Sequence, residues 1–177
     1  DLFVFHRDFI NQSTNRTDFN LVNAAVLFTN ATSHTLNLTN SAALNWGGGS
    51  GSNITQFATN FAIGTLSIAL SNQVTLTGVK SGATTNALYV GWLDLSMWNT
   101  NAGLSLTNTL LAALSLPDIN LYYDPNVAGN AYLNNQLYNL WGGGLVIPIP
   151  EPSALMLTLA AGALSMFILR RKGRAGM

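Results

Sequence analysis

Thr35-Leu36-Asn37-Leu38-Thr39 alternates apolar and polar residues with a period of two, which turns Leu36 and Leu38 to one face of an extended strand. Working outward, the same alternation returns in Leu66, Ile68 and Leu70, in Val74 and Leu76, in Leu88, Val90 and Trp92, and in Leu104 and Leu106. Turn-formers separate these runs: Trp46-Gly47-Gly48-Gly49-Ser50-Gly51-Ser52, Lys80-Ser81-Gly82 and Asn99-Thr100-Asn101-Ala102-Gly103. The body is rich in Asn, Thr, Ser and Gly, which are weak helix formers, while its Thr and Val favour strands. Many short strands between Gly and Asn turns predict an all-β body. Two stretches resist that reading: Ala24 to Phe28 is a plain apolar run, and Leu110 to Leu116 reads as a short helical turn ended by Pro117.

An echo links Leu36-Asn37-Leu38-Thr39-Asn40 to Leu104-Ser105-Leu106-Thr107-Asn108, 68 residues further on. That spacing would hold three stacked coils of roughly 22 to 23 residues, within the range of repeat architectures. No fixed period is visible between the two copies. Small polar residues nevertheless suit tight solenoid corners and stacked asparagines, and the expected fold is the end of a β-solenoid or parallel β-helix, with a β-sandwich as the alternative.

Charge and composition exclude several functions. The 177 residues contain no cysteine, so no disulfide framework or thiolate metal site is available. Residues 1–148 carry three cations (Arg7, Arg16 and Lys80) against six aspartates, a sparse and mildly acidic surface with no footprint for nucleic acid. His6, Asp8 and Asp18 can be written as metal ligands, but a surface histidine near aspartates is the commoner case. No Gly-x-Ser-x-Gly elbow occurs, and the Gly47 to Ser52 run lacks a phosphate-loop lysine. Asp124-Pro125-Asn126-Val127-Ala128-Gly129 echoes a calcium loop, yet Ala128 fills a ligand position and Asn135 stands where a bidentate glutamate belongs. An Asp-Pro turn is the better reading. Scattered aspartates and a single lysine do not make a glycosidase or lyase site. The expectation is a protein with no catalytic residues, no cofactor and no metal. Trp92, Trp98 and Trp141 suit stacking on the sugars of an extracellular polysaccharide, although capping the ends of a β core is the commoner role.

The last residues carry a different signal. Ile149-Pro150-Glu151-Pro152-Ser153 leads into 17 uncharged residues, Ser153 to Leu169, and then into Arg170-Arg171-Lys172-Gly173-Arg174. As a helix the uncharged stretch would run roughly 25 Å, at the short end of what spans a bilayer core. Pro152 suits a helix N-terminus, and Glu151 faces the positive end of its dipole. Arg170, Arg171, Lys172 and Arg174 would stop transfer and stay in the cytoplasm, leaving the bulk of the chain outside. A buried core helix is the alternative, but four cations behind an all-round apolar segment suit a membrane better.

The order of tripeptide, apolar run and basic end resembles the PEP-CTERM sorting tail of exported bacterial envelope proteins. That resemblance implies recognition of Pro150, Glu151 and Pro152 by an exosortase-type membrane protease. It further implies a transient inner-membrane anchor and final delivery to the envelope or the extracellular space. Asn86 to Gly91, Ile119 to Asp124 and Asn130 to Leu140 are also similar to the terminal coils of exported β-solenoid proteins that end in this tail. The expected organisation is a β body over 1–144, a Pro-rich linker over 145–152, a transmembrane helix over 153–169 and a basic tail over 170–177. The body is expected to be the C-terminal part of a longer chain. The expected function is a non-catalytic envelope or matrix protein. The alternative is the end of a carbohydrate-active or adhesive β-helix protein whose site lies upstream.

Overall fold

The structure is a computed structural model that describes residues 1–11, 21–38, 62–78, 86–98, 106–117, 119–140 and 142–149. Its strands are β1 (Leu2–Phe5), β2 (Phe9–Ile10), β3 (Leu21–Phe28), β4 (Ser33–Asn37), β5 (Ala62–Ile68) and β6 (Gln73–Thr77). They continue with β7 (Asn86–Asp94), β8 (Leu114–Ser115), β9 (Ile119–Tyr123), β10 (Tyr138–Asn139) and β11 (Leu145–Pro148). One α-helix, α1 (Leu106–Ala113), and one 3₁₀ helix (Ala128–Leu133) complete the described elements.

These strands form two open sheets. The first has the order β1-β3-β5-β7-β9-β11-β10 and the second β2-β4-β6-β8. From β1 to β9 the chain alternates between them, placing one strand in each sheet per circuit. Every pair is parallel except β10 with β11. An antiparallel sandwich does not pair its strands this way. Inward side chains then stack in columns: Val26 beside Leu66 beside Leu93, and Leu88 beside Leu121 beside Val146 in the first sheet. Phe9, Leu36 and Leu76 form a column in the second. One core unites the inner faces of both sheets.

The circuits are unequal, which corrects the expected repeat of roughly 22 to 23 residues. Ala25 lies 23 residues beyond its neighbour Leu2, whereas Leu66 lies 40 beyond Val26 and Leu121 lies 33 beyond Leu88. Register is set where apolar columns stack, and the connections can lengthen at small entropic cost. The alternation in Leu36, Leu38, Leu66, Ile68, Val74 and Leu76 is borne out by their burial. Three details differ. Leu70 sits exposed in the turn after β5. Leu106 opens a helix, because Leu106, Leu110 and Ala113 follow helical spacing. The apolar run Ala24 to Phe28 is a strand whose burial alternates.

Two local features tie the circuits together. Three residues, Val22 to Ala24, bulge opposite the single Gly64, so a Cβ there would stand 2.5 Å from the Val22 carbonyl oxygen and 2.8 Å from that of Ala24. His34 occupies a buried column otherwise made of Val74 and Leu114. Its Nδ1 lies 3.1 Å from the Arg7 carbonyl and its Nε2 lies 3.0 Å from Asn72 Oδ1. Asn72 Nδ2 donates to the Ala69 and Leu70 carbonyls, which fixes Oδ1 toward His34 and the Ala31 amide. Three successive circuits are fastened through one imidazole.

Among the described residues no helix is long and apolar enough to cross a membrane. The expected transmembrane helix over 153–169 and basic tail over 170–177 lie outside the described residues.

Candidate functional site

The last described strand fixes where the tail leaves the body. Pairing of β11 with β9 sets Val146 against Leu121 and Pro148 against Tyr123, so residues 145–148, read from sequence as linker, belong to the first sheet. The alternation that buries Val146 is short and interrupted by prolines, which hid it. Asn120 Oδ1 accepts the Leu145 amide at 3.0 Å, and the Ile149 amide donates to the Tyr123 carbonyl at 2.8 Å. Gly142 and Gly143 lead into the strand with φ of 104° and 95°, left-handed values that favour glycine. Gly144 lies so close to Leu116 and Ile119 that no side chain fits.

Ile149 is buried on the outer face of the first sheet with Ala62, Ala87, Tyr89 and Tyr122. The Tyr89 and Tyr122 rings stack at 4.9 Å, inclined by 14°. Burial, aided by the neighbouring Tyr122, pushes the Tyr89 phenol up to about 12. The unfolded chain would release that proton near its ordinary value of 10.0, so this tyrosine's contribution is complete below pH 10.0 and disappears as pH rises through about 12. Alkaline unfolding is therefore expected to set in over that window. Tyr89→Phe should delay it, as read by circular dichroism against pH.

The expected motif residues Pro150, Glu151 and Pro152 lie outside the described residues, as do Arg170, Arg171, Lys172 and Arg174. The structure brings their attachment point, Ile149, to a fixed place beside β9.

The other candidates separate. His6 Nδ1 meets the side chain of Asn30 at 3.1 Å, while Asp8 Oδ1 accepts the Thr35 amide at 2.6 Å, and Asp18 lies outside the described residues. Among the described residues no three His, Asp or Glu side chains converge as a metal site requires. Asp124 opens a turn, its Oδ1 accepting the Asn126 amide at 2.9 Å, as the Asp-Pro reading expects. Composition concealed Asn130, which holds this turn against β7. It is 1% exposed. Its Nδ2 donates to the Gly91 carbonyl at 2.6 Å and to the Asp124 carbonyl at 2.7 Å, and its Oδ1 accepts the Leu93 amide at 3.0 Å.

A second concave region adjoins that turn. Trp92 leaves the inward face expected for it because the strand slips phase at Gly91, after which Leu93 and Leu95 point inward. The Trp92 indole rests directly on Gly129. With Trp98, Tyr132, Asp94 and Ser96 it lines a cleft of about 170 Å³. Trp98 Nε1 donates to the Ile68 carbonyl at 2.9 Å and the Tyr132 hydroxyl to the Leu93 carbonyl at 2.7 Å. Asp94 Oδ2 accepts the Ser67 hydroxyl at 2.6 Å and Oδ1 the Ser96 amide at 3.0 Å. Burial alone would push the Asp94 carboxyl up; the bonds from Ser67 and Ser96 outweigh it and hold the group below its ordinary value.

Residues 148–172 match the family model of the PEP-CTERM protein-sorting motif. The match begins one residue before Ile149 and includes Pro150, Glu151, Pro152, Arg170, Arg171 and Lys172, leaving Arg174 just beyond. A signal of this kind implies export, a membrane-associated stage and an exosortase-type processing partner. No curated protein and no solved structure matches the chain.

Proposed function

We propose that this chain is a non-catalytic protein of the bacterial cell envelope or extracellular matrix, whose β-solenoid body is delivered and released through its C-terminal tail. The observation that carries the reading is the sorting-motif match, which begins at Pro148, the last residue of the last paired strand. The body ends on a hydrogen-bonded, buried Ile149, and the recognition tripeptide Pro150-Glu151-Pro152 follows at once. Strands that alternate between two parallel sheets, one per sheet in each circuit, support the solenoid. Ser153 to Leu169 serves as the temporary transmembrane helix, with Arg170, Arg171, Lys172 and Arg174 on the cytoplasmic side. Cleavage near Glu151 then frees the body for the surface.

Mass spectrometry of the surface form is expected to find a C-terminus near Glu151; an intact Met177 there would overturn the processing step. Combined Pro150→Ala, Glu151→Ala and Pro152→Ala should leave the full-length precursor in the inner membrane. Normal release of that variant would refute recognition of the tripeptide.

A further inference from the structure

We propose that the cleft between the end of β7 and the 3₁₀ helix binds a single neutral pyranose unit of a polysaccharide, through stacking on Trp92 and Trp98 and hydroxyl capture by Asp94. This goes beyond the sorting reading and concerns what the delivered body holds.

Three observations converge on that ligand. First, the aromatic walls are fixed before any ligand arrives. Trp92 lies on the Gly129 backbone, Trp98 is tethered through Nε1 to Ile68, and Tyr132 is tethered to Leu93. Both tryptophans keep part of their surface exposed and line the cleft. Apolar ring faces beside a few oriented polar groups match a sugar, whose ring presents C–H bonds on its faces and hydroxyls around its rim.

Second, Asp94 is held ready as an acceptor. Ser67 gives it one hydroxyl donor and Ser96 gives it both its hydroxyl and its amide, so of about four acceptor positions on a carboxylate about one is left for a ligand. As one of the residues lining the cleft, Asp94 suits one sugar hydroxyl at that remaining position. A quaternary ammonium group would pair with the Asp94 charge and the indole faces but has no proton for that position, so titrating one in parallel separates the two ligands.

Third, size and charge narrow the class. A cleft of about 170 Å³ is smaller than drug-sized pockets and suits one sugar ring. None of the described residues lining it is Lys or Arg, so a carboxylated or sulfated sugar would meet the Asp94 charge without compensation from them.

The test uses the full chain, purified in a detergent without a sugar headgroup. Hexasaccharides of β-linked glucose, α-linked glucose, mannose and xylose are titrated by calorimetry and tryptophan fluorescence. Polygalacturonate and tetramethylammonium are titrated in parallel. At least one neutral hexasaccharide is expected to saturate below about 10 mM. Trp92→Ala should weaken that binding by about tenfold or more. Ser96→Glu, at an exposed position, should do the same while leaving the circular dichroism unchanged, so the result does not depend on the tryptophan variant folding. Failure of all four neutral sugars would overturn the proposal, as would binding that both substitutions leave intact. Saturation by tetramethylammonium that is lost in Asp94→Asn would make the cleft a cation site instead. None of these readings depends on tail processing, so sorting and sugar binding can fail separately.

Discussion

Asn130→Ala is expected to lower the unfolding free energy by about 4 kcal/mol, near the top of the range for single substitutions. The side chain satisfies three backbone groups, the Gly91 and Asp124 carbonyls and the Leu93 amide, in a site with almost no access to water. Alanine would strand all three, and each stranded buried group costs roughly 1–3 kcal/mol. Asn130→Asp keeps the size but sets a carboxylate oxygen against two carbonyls, and should do no better. Urea titration followed by tryptophan fluorescence would measure both. A loss below about 1 kcal/mol for the alanine variant would mean that this asparagine does not hold β7 to the following turn. Because β7 and the 3₁₀ helix form the two walls of the aromatic cleft, sugar binding should weaken alongside stability.

Gly64→Val should destabilise by about 3 kcal/mol through a different mechanism. The obstacle is main chain rather than a yielding side chain: the Val22 and Ala24 carbonyl oxygens occupy the space a Cβ needs. Relief would require the bulge in β3 to move, and with it the pairing from Ala25 to Phe28 against Thr65 to Ile68. Even Gly64→Ala should cost most of this, because the first carbon makes the clash. The same titration would show it. A valine variant within about 0.5 kcal/mol of the parent would mean that β3 and β5 lie further apart than described here.

The two substitutions mark the boundary of what the amino-acid pattern reveals. Leu36, Leu66, Ile68, Val74 and Leu76 were legible as strand residues because a half-buried strand repeats every second side chain. The phase slip at Gly91 and the three-against-one bulge at Gly64 were not, since each depends on a neighbouring strand that is distant in sequence. Asn130 and Asn72 were hidden for another reason. In a chain so rich in asparagine, a buried amide looks like its exposed neighbours until its partners are known. The tail was readable because its three parts are contiguous, as the match over 148–172 reflects. The aromatic cleft draws on residues 92–98 and 129–132, separated by a helix and two strands, so only the fold assembles it.

The reversal at β10 has a consequence for how copies of this chain meet one another. A parallel pile of strands invites another chain to add to its exposed edge, the route by which ordered fibres grow. At the β10 edge of the first sheet the outermost described strand is two residues long and runs against its neighbour, so an incoming copy finds almost no backbone to copy there. Crowded molecules can therefore stand side by side at that end without seeding one another into filaments.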